Sequence, residues 1–407
     1  MVLLIVVLFP LPVLASDTPP RQPACPGSGC HVEPVSAHLW SVGLSGIWSA
    51  GTGPETTGDG GTLSFAGQAY VAVGGGVAVL GTGLSVTGYR LGSGKQLWQT
   101  VLDAPLGTEV MSVRAWPEVI TVGLLAPDDR SRTEVVLDAT TGNVIRRYQA
   151  AVYGGAVAAS KSTTVIVGSD AVTSYDNATG RVRWQHKTAG GQAWQVDGQT
   201  LYMAESRGAY LGSAPVTALR VMDLVTGTQR TLSSPFGRPF SGTLALAAEG
   251  AVLFASPGGV TAYSGSTGGV LWSRGGAVPE GTDPAAGLVD LTLSSGALAG
   301  VDPLTGNVRA SVPAAMATSA GGLYVVRGEV ALGLDSGANG SAWGYDMAKG
   351  LVTWTWSALP WPHFFSDLSG LGGSAAASGD IVVVTACARL ASSTGLCAAP
   401  ELVAFTV

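Results

Sequence analysis

The sequence predicts an all-β fold built from about eight copies of one four-stranded unit, on three observations. The composition is rich in glycine and poor in charge, a turn phrase returns at nearly regular intervals, and the two ends carry complementary halves of the same unit.

Composition sets the class. Hydrophobic residues make up 46% of the 407 and charged residues only 12%, against roughly 25% charge in an average globular domain. Long surface helices need Lys, Glu and Arg on their outer faces, and this chain has too few to furnish them. Its 59 glycines instead suit many short strands joined by tight turns. A net charge of −6 without a Lys/Arg cluster argues against a nucleic-acid partner, because phosphate binding needs a basic footprint.

The repeat appears once the turns are aligned. Near residue 94 the chain reads YRLGSGKQLW, a strand end, a tight turn and a second strand. Equivalent turns end at Gly142, Gly180, Gly227, Gly268, Gly306 and Gly350, with spacings of 48, 38, 47, 41, 38 and 44 residues. A period near 40 to 45 with four strands per unit is the spacing of a β-propeller. Asp stands four residues before the glycine in five of the seven copies, as Asp138, Asp176, Asp223, Asp302 and Asp346. Its carboxylate is expected to accept turn N–H groups, while Gly supplies a positive φ. Thr precedes the glycine in five copies and can add a side-chain bond to the same turn. Trp98, Trp184, Trp272 and Trp354 follow it by four. On the outermost strand of each unit, such a ring can dock against the neighbouring blade and bury roughly 150 to 250 Å². Arg90 and Ser264 take the Asp position in the other two copies. A residue repeated around a ring for turn geometry needs no catalytic role.

The ends complete the count. Residues 380–388 and 401–407 read as two strands of a further unit, and the chain stops where its Trp strand should come next. Residues 37–42, AHLWSV, resemble that missing strand, with Trp40 as its docking residue. Pairing the N- and C-terminal strands would close eight blades and remove two exposed edges.

The N-terminus reads as an address. Residues 1–15 are apolar and uncharged, Val13 and Ala15 sit where signal peptidase acts, and a polar run extends from there to Arg21. The segment is broken by Pro10 and Pro12 and is shorter than the roughly 20 residues of a membrane-spanning helix. No Lys or Arg precedes it, so a retained hydrophobic anchor is the alternative to cleavage. No Cys stands close enough behind it to carry a lipid. Residues 16–36 form a Pro/Gly/Cys-containing linker, and 37–407 the repeat array. Cys25 and Cys30, five apart, and Cys387 and Cys397, flanking a turn-like segment, are each placed to close a local disulfide in an oxidising compartment. Cys25, Cys30 and His31 also make a stretched haem-attachment motif. The residues after His31, however, begin the repeat array and not a helical haem pocket.

Enzyme motifs fail on inspection. Gly92-Ser93-Gly94-Lys95 lacks the first glycine and the Ser/Thr of a phosphate loop, and there is no G-x-S-x-G elbow. The four histidines form no ligand pair on one element. Asp335, Asn339, Gly340 and Asp346 fall at positions of a calcium loop, but Gly337 replaces a ligand and Asp346 belongs to a repeat turn.

The fullest phrase, Y-x-x-D-x-x-T-G-x-x-x-W, resembles the PQQ-like β-propeller repeat over residues 39–407. That repeat is found in quinoprotein alcohol dehydrogenases, in the propeller subunit of outer-membrane assembly machinery and in extracytoplasmic domains of bacterial kinases. The resemblance implies the fold and leaves the task open, because blades are shared and functions are not. The expected function is a non-catalytic extracytoplasmic module, secreted or membrane-anchored through residues 1–15. It is expected to be a monomer without a cofactor, binding a protein or cell-envelope ligand. The alternative is a quinoprotein oxidoreductase with pyrroloquinoline quinone and calcium. The dehydrogenases of that family are longer and use an adjacent Cys-Cys pair, which this sequence lacks.

Overall fold

The computed structural model describes residues 38–44, 69–127, 132–150, 154–168, 170–188, 193–206, 216–233, 239–283 and 287–314, and the strands between 323 and 406. Every element it holds is a β-strand. Among the described residues, no helix is long and apolar enough to cross a membrane.

Consecutive strands group by fours into antiparallel sheets, each joined in chain order. We number them sheet 1 (69–101), sheet 2 (109–150), sheet 3 (155–187), sheet 4 (194–233), sheet 5 (243–275), sheet 6 (278–312) and sheet 7 (323–356). In sheet 1 the strands are Ala69–Gly74, Val77–Thr82, Ser85–Arg90 and Gln96–Val101. First strands of several neighbouring sheets lie against one another, and fourth strands form the far edge.

A terminal sheet joins the chain ends. His38–Gly43 pairs with Pro400–Thr406, which pairs with Ile381–Cys387. Ala375–Ser378 and His363–Phe364 then pair along the other side of that strand. Trp40 sits opposite Ala404. The N-terminal Trp strand therefore supplies the edge strand that the C-terminal unit lacks.

The cores lie between the sheets. Second strands are buried on both faces, as along Val77 to Leu80 and Val119 to Leu124, so those stretches run continuously apolar instead of alternating. Among the described residues, six apolar clusters link the terminal sheet and sheets 1 to 6 in succession. Leu402 and Val383 pack with Leu80 and Tyr89; Val79 and Val86 with Ile120 and Val135; Val136 and Tyr148 with Ile166. Val165 and Val172 meet Leu201 and Met222; Leu219 and Val221 meet Phe254 and Tyr263; Leu253 and Val260 meet Val289 and Leu291.

Candidate functional site

The repeat turns are built as their residue types require. Asp138 Oδ1 accepts from the Thr140 and Thr141 amides at 2.9 and 3.0 Å. Asp223 Oδ1 accepts from Val225 N, Thr226 N and Thr226 Oγ1. Asp176 takes both donors of Thr179 at 2.8 Å, and Asp302 the amides of Leu304 and Thr305. These bonds favour the ionised form. The Thr179 donors hold the Asp176 carboxyl below its usual range, and Arg309 together with the turn amides brings Asp302 to about 2. Ser264 performs the same cap with its hydroxyl, accepting from Ser266 N and Thr267 N at 3.2 Å.

The turn glycines serve two needs. Gly94, Gly142, Gly180, Gly227, Gly268 and Gly306 all have φ between 64° and 75°, the left-handed region that favours glycine. At four of them an indole from the preceding sheet also takes the place of a side chain. A Cβ on Gly142 would lie 2.5 Å from the Trp98 ring, and Trp40, Trp184 and Trp272 cover Gly94, Gly227 and Gly306 in the same way. Each ring also donates into the turn it covers. Trp40 Nε1 reaches Leu91 O at 2.6 Å, Trp98 reaches Ala139 O at 2.9 Å, Trp272 reaches Pro303 O at 2.8 Å, and Trp184 reaches Val225 O at 3.4 Å.

Two arginines replace the tryptophan, and the sequence phrase did not reveal them. In sheet 2, Arg146 lies four residues after Gly142 and donates to Asn177 O and Ala178 O. In sheet 4, Arg230 lies only three after Gly227 and donates to Gly265 O at 2.9 Å and Ser266 O at 2.6 Å. The shorter spacing has a cause. Sheets 1, 2, 3, 5, 6 and 7 carry a β-bulge just before the docking position, and sheet 4 pairs Met222 with Gln229 and Val221 with Arg230 without one. A bulge adds one residue to one strand, so its loss shortens the spacing by one.

A guanidinium fills less space than an indole, and a cleft of about 590 Å³ lies between sheets 4 and 5. Asp223, Thr226, Thr228, Gln229 and Arg230 line one wall and Glu249, Ser264 and Ser266 the other, with Leu304 of sheet 6 at the side. Glu249 is the only non-glycine with positive φ among the described residues, at 50°. Beside it, Gly250 N donates to Asp197 Oδ2 at 2.7 Å.

A second polar group lies buried along the inner strands of sheet 2. Glu134 is 1% exposed, and Arg132 grips its Oε1 from Nε at 2.8 Å and Nη2 at 2.7 Å while also donating to Ser112 Oγ. Arg114 donates to Ala156 O of sheet 3 and stands 5.5 Å from the Trp194 ring of sheet 4. Burial pushes the Glu134 carboxyl up, and the two guanidiniums pull against it. The cluster ties three consecutive sheets together.

The remaining predicted residues fall at the edge of what is described. Asp346 ends the strand Ala342–Asp346, Trp354 pairs with Gly344, and Cys387 ends its strand opposite Pro400. Gly350, Cys25, Cys30, Cys397 and the 335–340 loop lie outside the described residues. Among the described residues, no three of His, Cys, Asp and Glu converge to hold a metal.

Comparison with known proteins agrees with this architecture. A family model described as outer membrane protein assembly factor BamB matches residues 131–294. No curated protein matches the chain by sequence. Among solved structures, the computationally designed protein Ika8 is similar at 15% identity and a TM-score of 0.53, covering 84% of this chain and 97% of that one. The quinohemoprotein alcohol dehydrogenases ADHIIG of Pseudomonas putida HK5 and that of Comamonas testosteroni are similar at 13% and 14% identity, each with a TM-score of 0.51. In each case 91% of this chain and 76% of the other are covered. Identities this low speak to the fold alone. The chain is thus an all-β protein of repeated four-stranded antiparallel sheets, whose residues 131–294 match the PQQ-like propeller family of the assembly factor.

Proposed function

We propose that the chain is an extracytoplasmic, non-catalytic binding or scaffold module, monomeric and without a cofactor, that presents its turns to a protein or cell-envelope ligand. The observation that supports this reading is the use made of the repeated side chains. Described turn carboxylates cap their own turns, and docking Trp and Arg residues bond the next sheet. The repeat's chemistry is thereby occupied in holding the array rigid, and a rigid array of exposed turns is a recognition surface. The family model over residues 131–294 carries the name of an assembly factor of outer membrane proteins, which supports a protein partner and an envelope location.

Quinoprotein chemistry would ask for converging ligands that hold calcium beside the quinone. Two measurements test the reading. Immobilised full-length protein exposed to an extracytoplasmic fraction should capture one protein or envelope polymer saturably. Protein reconstituted with pyrroloquinoline quinone and calcium should give no alcohol- or sugar-dependent dye reduction. Tight stoichiometric quinone binding with turnover would overturn the proposal.

A further inference from the structure

We infer that the cleft between sheets 4 and 5 is a binding site for a short neutral oligosaccharide. Two departures from the repeat meet there, beside the two-residue hairpin Glu249-Gly250. Arg230 stands where Trp docks in sheets 1, 3 and 5, and Ser264 stands where Asp caps in four other turns. Residues that break a local rule in an otherwise consistent fold mark functional sites.

The lining selects the ligand. Thr200 and Thr228 offer hydroxyls and Gln229 an amide, while Thr226, Ser264 and Ser266, whose hydroxyls are engaged in their own turns, add acceptor lone pairs. Together these groups both donate and accept, as sugar hydroxyls do. Asp223 and Glu249 face the cleft from opposite walls and disfavour an anion. Arg230, tied to two carbonyls of the facing turn, keeps donors in reserve. Tyr202 also lines the cleft, its phenol pushed up by burial and then by Asp197. Leu304 is the one exposed large apolar side chain in the lining, too little to hold an apolar ligand. The two carboxylates fall short of a metal-binding group. A volume of about 590 Å³ lies within the roughly 300–1,000 Å³ of small-ligand sites.

This inference deepens the binding-module reading and rests on it for the location in which a glycan would be met. The probes are tetramers of β-1,4-glucose, β-1,4-N-acetylglucosamine and α-1,4-glucose, with a glucuronate tetramer and spermine as charged controls, added to the full-length protein. Saturation-transfer NMR and calorimetry should detect at least one neutral tetramer and neither control. Arg230→Trp, which restores the repeat's own plug, should abolish that binding without lowering Tm. Glu249→Gln, on an exposed side chain, should weaken it about tenfold, the loss of one charge-assisted hydrogen bond. Binding of a charged control alone, of no probe, or undiminished binding in Arg230→Trp would overturn the site. Such a failure, with partner capture from the extracytoplasmic fraction intact, would leave the module reading standing, whereas quinone turnover would remove that reading.

Discussion

Gly142 and Gly180 share a backbone conformation, with φ of 71° and 73°, and differ in what stands over them. Replacing either by Ala places a Cβ in the left-handed region at a cost of roughly 1 kcal/mol. At Gly180 little is added, because the nearest atoms are those of the Arg146 guanidinium at 3.6 Å and beyond. At Gly142 the new Cβ would lie 2.5 Å from the Trp98 ring, and the ring must move. Moving it strains the buried bond from Nε1 to Ala139 O, worth about 1 kcal/mol. It also uncovers part of an indole that is 8% exposed. Uncovering about 40 Å² costs about 1 kcal/mol more at 25 cal/mol per Å². Gly142→Ala should therefore destabilise by about 3 kcal/mol and Gly180→Ala by about 1. Equilibrium urea unfolding of both variants, with unchanged slopes, measures the difference. Equal losses would mean that the Trp dock adds nothing beyond the turn's own conformation.

Glu134→Gln should cost about 3 kcal/mol, because it leaves Arg132 buried without its counter-charge; an unchanged urea midpoint would show that Arg132 needs no counter-charge where it lies. Asp302 is held at about 2 in the folded protein, below the roughly 3.9 of a free Asp. Its contribution is therefore present above about pH 4 and lost as pH falls toward 2. Asp302→Asn should flatten the fall of Tm in that window, and an unchanged slope would locate the acid sensitivity elsewhere. Non-reducing peptide mapping of exported protein should show Cys25–Cys30 and Cys387–Cys397 bridges and an N-terminus after Ala15; free thiols would count against an oxidising compartment.

The fold was legible because its signals are local. A glycine with positive φ and a carboxylate four residues earlier arise from the chemistry of one turn, and the indole four residues later keeps a fixed spacing because it docks on the equivalent turn of the next sheet. The shared terminal sheet was readable for the same reason: residues 37–42 carry the Trp strand's pattern without the strands that should precede it. The buried Arg132–Glu134–Arg114 cluster was not readable. Its members lie on two strands of sheet 2 and find Ala156 and Trp194 on two further sheets, a juxtaposition that no spacing in the sequence encodes.

The cleft shows most sharply where sequence spacing misleads. Counting four residues from Gly227 reaches Thr231, whose small polar side chain looks like an ordinary lapse in the pattern. The ladder itself puts Arg230 in the docking position, because Val221 pairs with it directly and no bulge intervenes. The absent residue is a backbone event, and it decides which side chain meets the next turn. Had sheet 4 kept the bulge, Thr231 would occupy the dock, and the carbonyls of Gly265 and Ser266 would lose the guanidinium they now receive. An arginine one position early can bond the turn without filling the gap above it. That combination lets sheet 4 stay docked while leaving open the space that an indole closes between sheets 1 and 2.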